Sequence, residues 1–207
     1  MFPPITDTGA FRQEIATQIN SQFATLQGAG FVGGTTQNLA TDGNLNVQTS
    51  AAGISPGATG ADNVLAVFSI PANAFSAAGK MVSITANGSF AANGNTKTVK
   101  IIFNPATAVV GSTVGSGGTT IASTGAVATN NAGWQLSASV TKYGIANSNT
   151  QLGVNLQNQA GATAVAILAP ADITAVENAA ILVAVTGDAA TTATDILLNL
   201  LQVRFAN

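Results

Sequence analysis

Cysteine and histidine are both absent from this 207-residue chain, and only 7% of its residues carry charge. Without cysteine there is no disulfide, no thiolate nucleophile and no cysteine-bound metal. Without histidine the commonest general base, the commonest zinc ligand and every Ser-His or Cys-His relay are excluded. A charge content far below the roughly one-quarter of an ordinary soluble domain leaves hydration to hydroxyls and amides. Mean hydropathy is +0.37. Like-charge repulsion normally keeps small proteins apart in solution, so a surface this neutral suits one covered in an assembly better than a free, robust extracellular β domain.

The six basic residues, Arg12, Lys80, Lys97, Lys100, Lys142 and Arg204, are scattered, and the net charge is −2. Nucleic-acid binding needs a basic stripe to displace counterions, so no nucleic-acid partner is expected. The most apolar region, from Ala162 to Gly187, is broken by Pro170, Asp172 and Glu177, which leaves no run long enough to cross a bilayer as a helix. MFPPITDTGA has neither a basic nor an apolar leader segment. The expectation is a soluble chain with no membrane partner and no signal-peptide export.

The length suits one large β domain or a medium one with an extension. TDTGAFRQEIATQINSQFATLQGAG reads as a helix, capped by Asp7 or Thr8 and ended by Gly28 and Gly30. Its stripe of Phe11, Ile15, Ile19, Phe23 and Leu26 packs on its own domain, on symmetry mates or on a foreign surface such as a capsid. Residues 27–62, rich in Gly, Thr, Asn and Ser, read as an extended arm or a set of short edge strands. Asp42, Asn44 and Asn46 imitate the start of a calcium loop, but Val47 and Gly53 stand where its Gly and Glu belong, so a polar turn is the reading.

From Asp62 the texture is that of strands. NVLAVFSI, MVSITANGSF, KTVKIIF, GWQLSASVTKYG, TQLGVNLQN, TAVAILA, AAILVAVTG and ATDILLNLLQVRF give about eight, the last also compatible with a short helix. Trp134, Leu136, Ala138 and Val140 alternate with polar residues, which places the indole in a core. Asn93-Gly94 between two runs predicts a hairpin with a type I′ turn, and Lys97 and Lys100 read as edge protection. GSTVGSGGTT lacks the Lys of a phosphate loop and reads as a flexible loop. The fold expected is all-β: an antiparallel β-sandwich of jelly-roll type, with an immunoglobulin-like sandwich as the alternative, over 62–207, preceded by a helix and extended arm over 1–61.

A glycosidase needs two facing carboxylates, and Asp172 with Glu177, or Asp188 with Asp195, are the pairs to consider. Structural roles are preferred for all four, because so few ionisable groups leave little to tune. No catalytic residue, metal ligand or cofactor is expected. Tyr143, at a strand end, is the candidate glycan contact.

Residues 63–104, with GWQLSASVTKYG and the ending LLNLLQVRF, resemble β-sandwich structural proteins of tailed-phage virions. In that group a strand ends in a PANAF-like turn, an ITANGSFAANGNTKTVKI-like segment follows, and a Trp-bearing strand comes later. The resemblance covers 62–207. It implies a non-enzymatic jelly-roll protein, homotrimeric, on a capsid as a decoration or head-fibre protein that contacts the major capsid protein or other virion proteins, or on a tail fibre. The alternative function is a tail-fibre module that binds host glycan.

Overall fold

The computed structural model describes residues 44–54 and 59–206. Their strands are β1 (Asn44–Ile54), β2 (Asn63–Ile70), β3 (Met81–Phe90), β4 (Lys97–Phe103), β5 (Thr119–Ser123), β6 (Gly133–Lys142), β7 (Gln151–Ala160), β8 (Thr163–Ala164), β9 (Ala171–Ile173), β10 (Ile181–Ala189) and β11 (Ile196–Ala206). They form two antiparallel sheets. The larger runs β1-β11-β3-β6-β7-β8, with β9 also on β7, and the smaller runs β2-β10-β4-β5. The described residues form an all-β fold whose two sheets pack as a sandwich. The proposed N-terminal helix, with Phe11, Ile15, Ile19, Phe23 and Leu26, lies outside the described residues. Part of the expected arm, Asn44–Ile54, is the edge strand on β11.

Strict alternation explains how the sheets meet. Val82, Ile84 and Ala86 of β3, Trp134, Leu136, Ala138 and Val140 of β6, and Leu201 and Val203 of β11 point inward from the large sheet. Val99, Ile101 and Phe103 of β4 and Ile181, Val183 and Val185 of β10 face them. Each fully buried aliphatic or aromatic side chain of this kind contributes about 1.5–3 kcal/mol. Phe75, from the PANAF segment, folds under one end and meets Phe103 edge-on at 6.2 Å and Phe205 at 6.1 Å.

Several sequence expectations are corrected. β3 and β4 are not a hairpin: β3 pairs with β11 and β6, whereas β4 pairs with β10 and β5 in the other sheet. The Asn93-Gly94 stretch therefore carries the chain between sheets, and neither residue has the positive φ of a type I′ turn. The leucine run is a strand with a register shift between Leu198 and Leu200, which lets both Leu198 and Leu201 enter the core. Of TAVAILA only Thr163–Ala164 pairs as a strand. Beyond it the backbone is held by amide side chains: Asn158 Nδ2 donates to the Ala166 carbonyl and Leu168 N–H donates to Asn155 Oδ1.

GSTVGSGGTT is not a free loop. The chain leaves β4 at Phe103, beside Val183, and bonds the outer edge of β2 through Gly111 N–H to Val64 O, Val64 N–H to Ser112 O and Val114 N–H to Asp62 O. It then returns to form β5 on the far side of β4. This strap runs from one end of β10 to the other, crossing the outer face of the small sheet, where outward-facing Ala184 and Thr186 are sealed from solvent.

Gly88 makes room for the indole. A Cβ there would stand 2.6 Å from Trp134 Cζ2 and collide with the Leu197 carbonyl oxygen. Gly88→Ala is expected to destabilise the sandwich by about 1–3 kcal/mol, the usual cost of overpacking. Urea denaturation measures it, and an unchanged midpoint would contradict this packing.

Candidate functional site

Two of the described lysines are buried, one at each end of the sandwich. Lys97 opens β4, and its Nζ donates to Asn93 O (2.9 Å), Asn93 Oδ1 (3.0 Å), Asn95 O (2.9 Å) and Thr129 O (3.3 Å). The ring of Phe90 lies 5.8 Å from it. Asp195, also buried, accepts from Asn93 Nδ2 and Asn95 Nδ2, each at 2.7 Å. The crossover from β3 to β4 is thus wound around an ammonium and fastened by a carboxylate. Lys97 is an internal anchor rather than edge protection, and β4 has neighbours on both sides. Lys100 pairs with Asp62 at 2.6 Å across the outer face of the small sheet.

At the other end Lys142 closes β6 and pairs with Glu177 in the β9–β10 connection, both excluded from solvent. Lys142 Nζ also donates to Ser148 Oγ (2.7 Å) and Thr150 Oγ1 (3.1 Å). Glu177 accepts from Asn147 N–H (3.0 Å) and Gln151 Nε2 (2.9 Å), and its own N–H donates to Asn149 Oδ1. The loop before β3 joins through Asn73 N–H to Glu177 O and Lys142 N–H to Lys80 O. Three loops thereby converge on one ion pair. They display Tyr143 (56% exposed), Ile145 (80%) and Val176 (51%), and exposed Asn73 and Asn147 hold left-handed backbone.

The outer face of the large sheet is the other extended surface. Across β3, β6 and β7 its rows read Thr85, Ser137, Gln157 and then Asn87, Gln135, Gln159, with Ser83 and Ser139 alongside. Gln202 and Leu200 of β11 extend the first two rows. Thr85 Oγ1 and Ser137 Oγ lie 3.3 Å apart. No outward residue of β3, β6 or β7 is charged. Where these rows end, Gly133, Trp134, Gln135, Gln159 and Gly161 line a depression of about 230 Å³.

The candidate carboxylates are dispersed. Glu177 and Asp195 are buried and already bonded, Asp172 is exposed on β9, and Asp188 faces outward on β10. Neither pair presents two carboxylates to a common cleft. Tyr143 stands exposed on the three-loop end, and Trp134 is in the core. The buried lysines were not found from sequence as anchors; the only local signal was their position at strand ends among Asn and Ser residues. No group of three or more acidic, His or Cys side chains forms a metal cluster among the described residues. No protein-family model, curated protein or solved structure matches the chain.

Burial alone raises the Glu177 carboxyl, but the Lys142 hydrogen bond and charge, the Asn147 N–H and the Gln151 amide outweigh it and hold it below the ordinary value of 4.5. A depressed carboxyl stabilises the fold above its unfolded pKa and loses that contribution as pH falls through the folded one. Stability conferred by Glu177 is therefore expected to fade in acid, beginning near 4.5 and continuing below it. Glu177→Gln should flatten that acid limb in urea denaturation. Lys142→Met, which strands a buried carboxylate, should cost about 3–5 kcal/mol near neutrality. An acid limb identical in wild type and Glu177→Gln would remove Glu177 as its cause.

Proposed function

We propose that the chain is a non-enzymatic structural component of a tailed-phage virion. In this reading it is a capsid decoration or head-fibre protein, assembled as a homotrimer and attached to the major capsid protein through residues 1–61. The observation that carries the reading is the uncharged outward side of β3, β6 and β7 in the middle of the large sheet, where hydroxyls and amides stand in rows and the exposed charges, Arg204 of β11 and Asp172 of β9, stay on the flanking strands. A face without charge meets no repulsion from a second copy and offers donors and acceptors to a partner, as an assembling subunit needs. The likeness of residues 62–207 to virion β-sandwich proteins points the same way.

The sandwich is read as a jelly roll. Strand order supports this: β1-β11-β3-β6 in one sheet and β2-β10-β4-β5 in the other interleave eight strands in two Greek keys, with β7 to β9 as an addition at one edge.

The solution mass is expected to be that of a trimer, and the purified chain should co-sediment with capsid shells that lack it. A double variant, Thr85→Glu with Ser137→Glu, should shift the mass toward monomer while leaving the melting temperature within a few degrees of wild type. A monomeric wild type that ignores the shells would overturn the reading.

A second reading, a tail-fibre module that binds host glycan, is favoured by Tyr143, which exposes 56% of its surface on a loop end that also displays Asn73 and Asn147. Binding on a glycan array that Tyr143→Ala abolishes is its expected signature. An array that stays dark would close it.

A further inference from the structure

We propose that Asp62, Thr186 and Asp188 form a calcium site on the outer face of the small sheet, beneath the strap between β4 and β5. Alternation places Thr186 and Asp188 on the same, outward side of β10, because Val183, Val185 and Ala189 point into the core. Thr186 stands between Val64 of β2 and Lys100 of β4, and Asp188 beside Thr98. Asp62 directly precedes β2, whose Asn63 pairs with Gly187. The Asp62–Lys100 ion pair, at 2.6 Å, therefore joins the two strands that flank β10 and passes over it between Thr186 and Asp188.

Three oxygens at this place are buried and have no hydrogen-bond partner: Asp62 Oδ1, Thr186 Oγ1 and Asp188 Oδ1. Thr186 is 0% exposed. Buried polar atoms are ordinarily paired, and each exception calls for a physical account. Two carboxylates against the single ammonium of Lys100 leave an excess of one negative charge. A bound cation answers both the unpaired oxygens and the surplus charge, whereas buried oxygens left without a partner are costly.

The donor chemistry selects a hard cation, since all three atoms are oxygens and two belong to carboxylates. Lys100 holds Asp62 Oδ2, which leaves Oδ1 for the metal. Calcium takes about 6–8 oxygens in flexible geometry, so three from the protein with water completing the shell suit it better than magnesium, which demands a near-ideal octahedron. With two carboxylates the affinity belongs to the weak class of extracellular modules, about 10⁻⁴–10⁻³ M. The metal would tie the segment that leads into β2 to β10 under the strap and stabilise the face that the strap covers.

Calorimetric titration of calcium chloride into the chelator-treated full chain is expected to show one saturable site, and the melting temperature should rise with calcium by mass action. Matched ionic strength from sodium chloride should not reproduce the rise. Asp188→Asn should weaken binding about tenfold or more, as loss of a charged ligand implies. Thr186→Val keeps the shape of the side chain, so it should lose affinity while its metal-free melting temperature stays the same or rises. If Asp188→Asn does not fold, the wild-type titration and Thr186→Val decide. Absence of saturable heat, an equal shift with sodium chloride, or wild-type affinity in Thr186→Val would each overturn the site.

Discussion

A buried ammonium is tolerated only when its hydrogen bonds are made and its charge is answered, and both ends of this sandwich are organised around that requirement. Lys142 at one end draws the β6–β7 loop, the β9–β10 connection and the approach to β3 onto Glu177. Lys97 at the other gathers the carbonyls of Asn93, Asn95 and Thr129. Loops that cross between sheets leave backbone groups without a ladder, and these side chains supply partners there. A chain with few charges thus uses several of them inside.

The consequence for the outside is neutrality. With Lys97, Lys142, Glu177 and Asp195 internal, and Lys100 engaged with Asp62, the large sheet shows hydroxyls and amides over three strands. The same economy leaves the outward side of β3, β6 and β7 without charge. The small sheet solves its outer face differently, by covering it with a strap drawn from its own β4–β5 connection.

Much of the strand content was legible because period-two alternation is a local signal. GWQLSASVTK, MVSITANGSF and KTVKIIF occupy the strands their patterns predict. Tyr143 at a strand end and Trp134 in the core were legible for the same reason. Pairing was not. Asn93-Gly94 carries the local signature of a hairpin, yet the inward faces of β3 and β4 have to meet across the core, which forbids them from lying side by side. TAVAILA has the composition of a strand, but Asn155 and Asn158 capture its backbone first.

By itself the sequence determined the all-β class, the faces of most strands and the exclusion of histidine and cysteine chemistry, since these follow from residue type and spacing along the chain. Only the tertiary structure decided which strands are neighbours, that Lys97 and Lys142 are internal, and that Asp62 lies beside Thr186 and Asp188. Those facts depend on contacts between residues far apart in the chain. No local pattern encodes them, because the free energy that selects them is realised only when both sheets are closed.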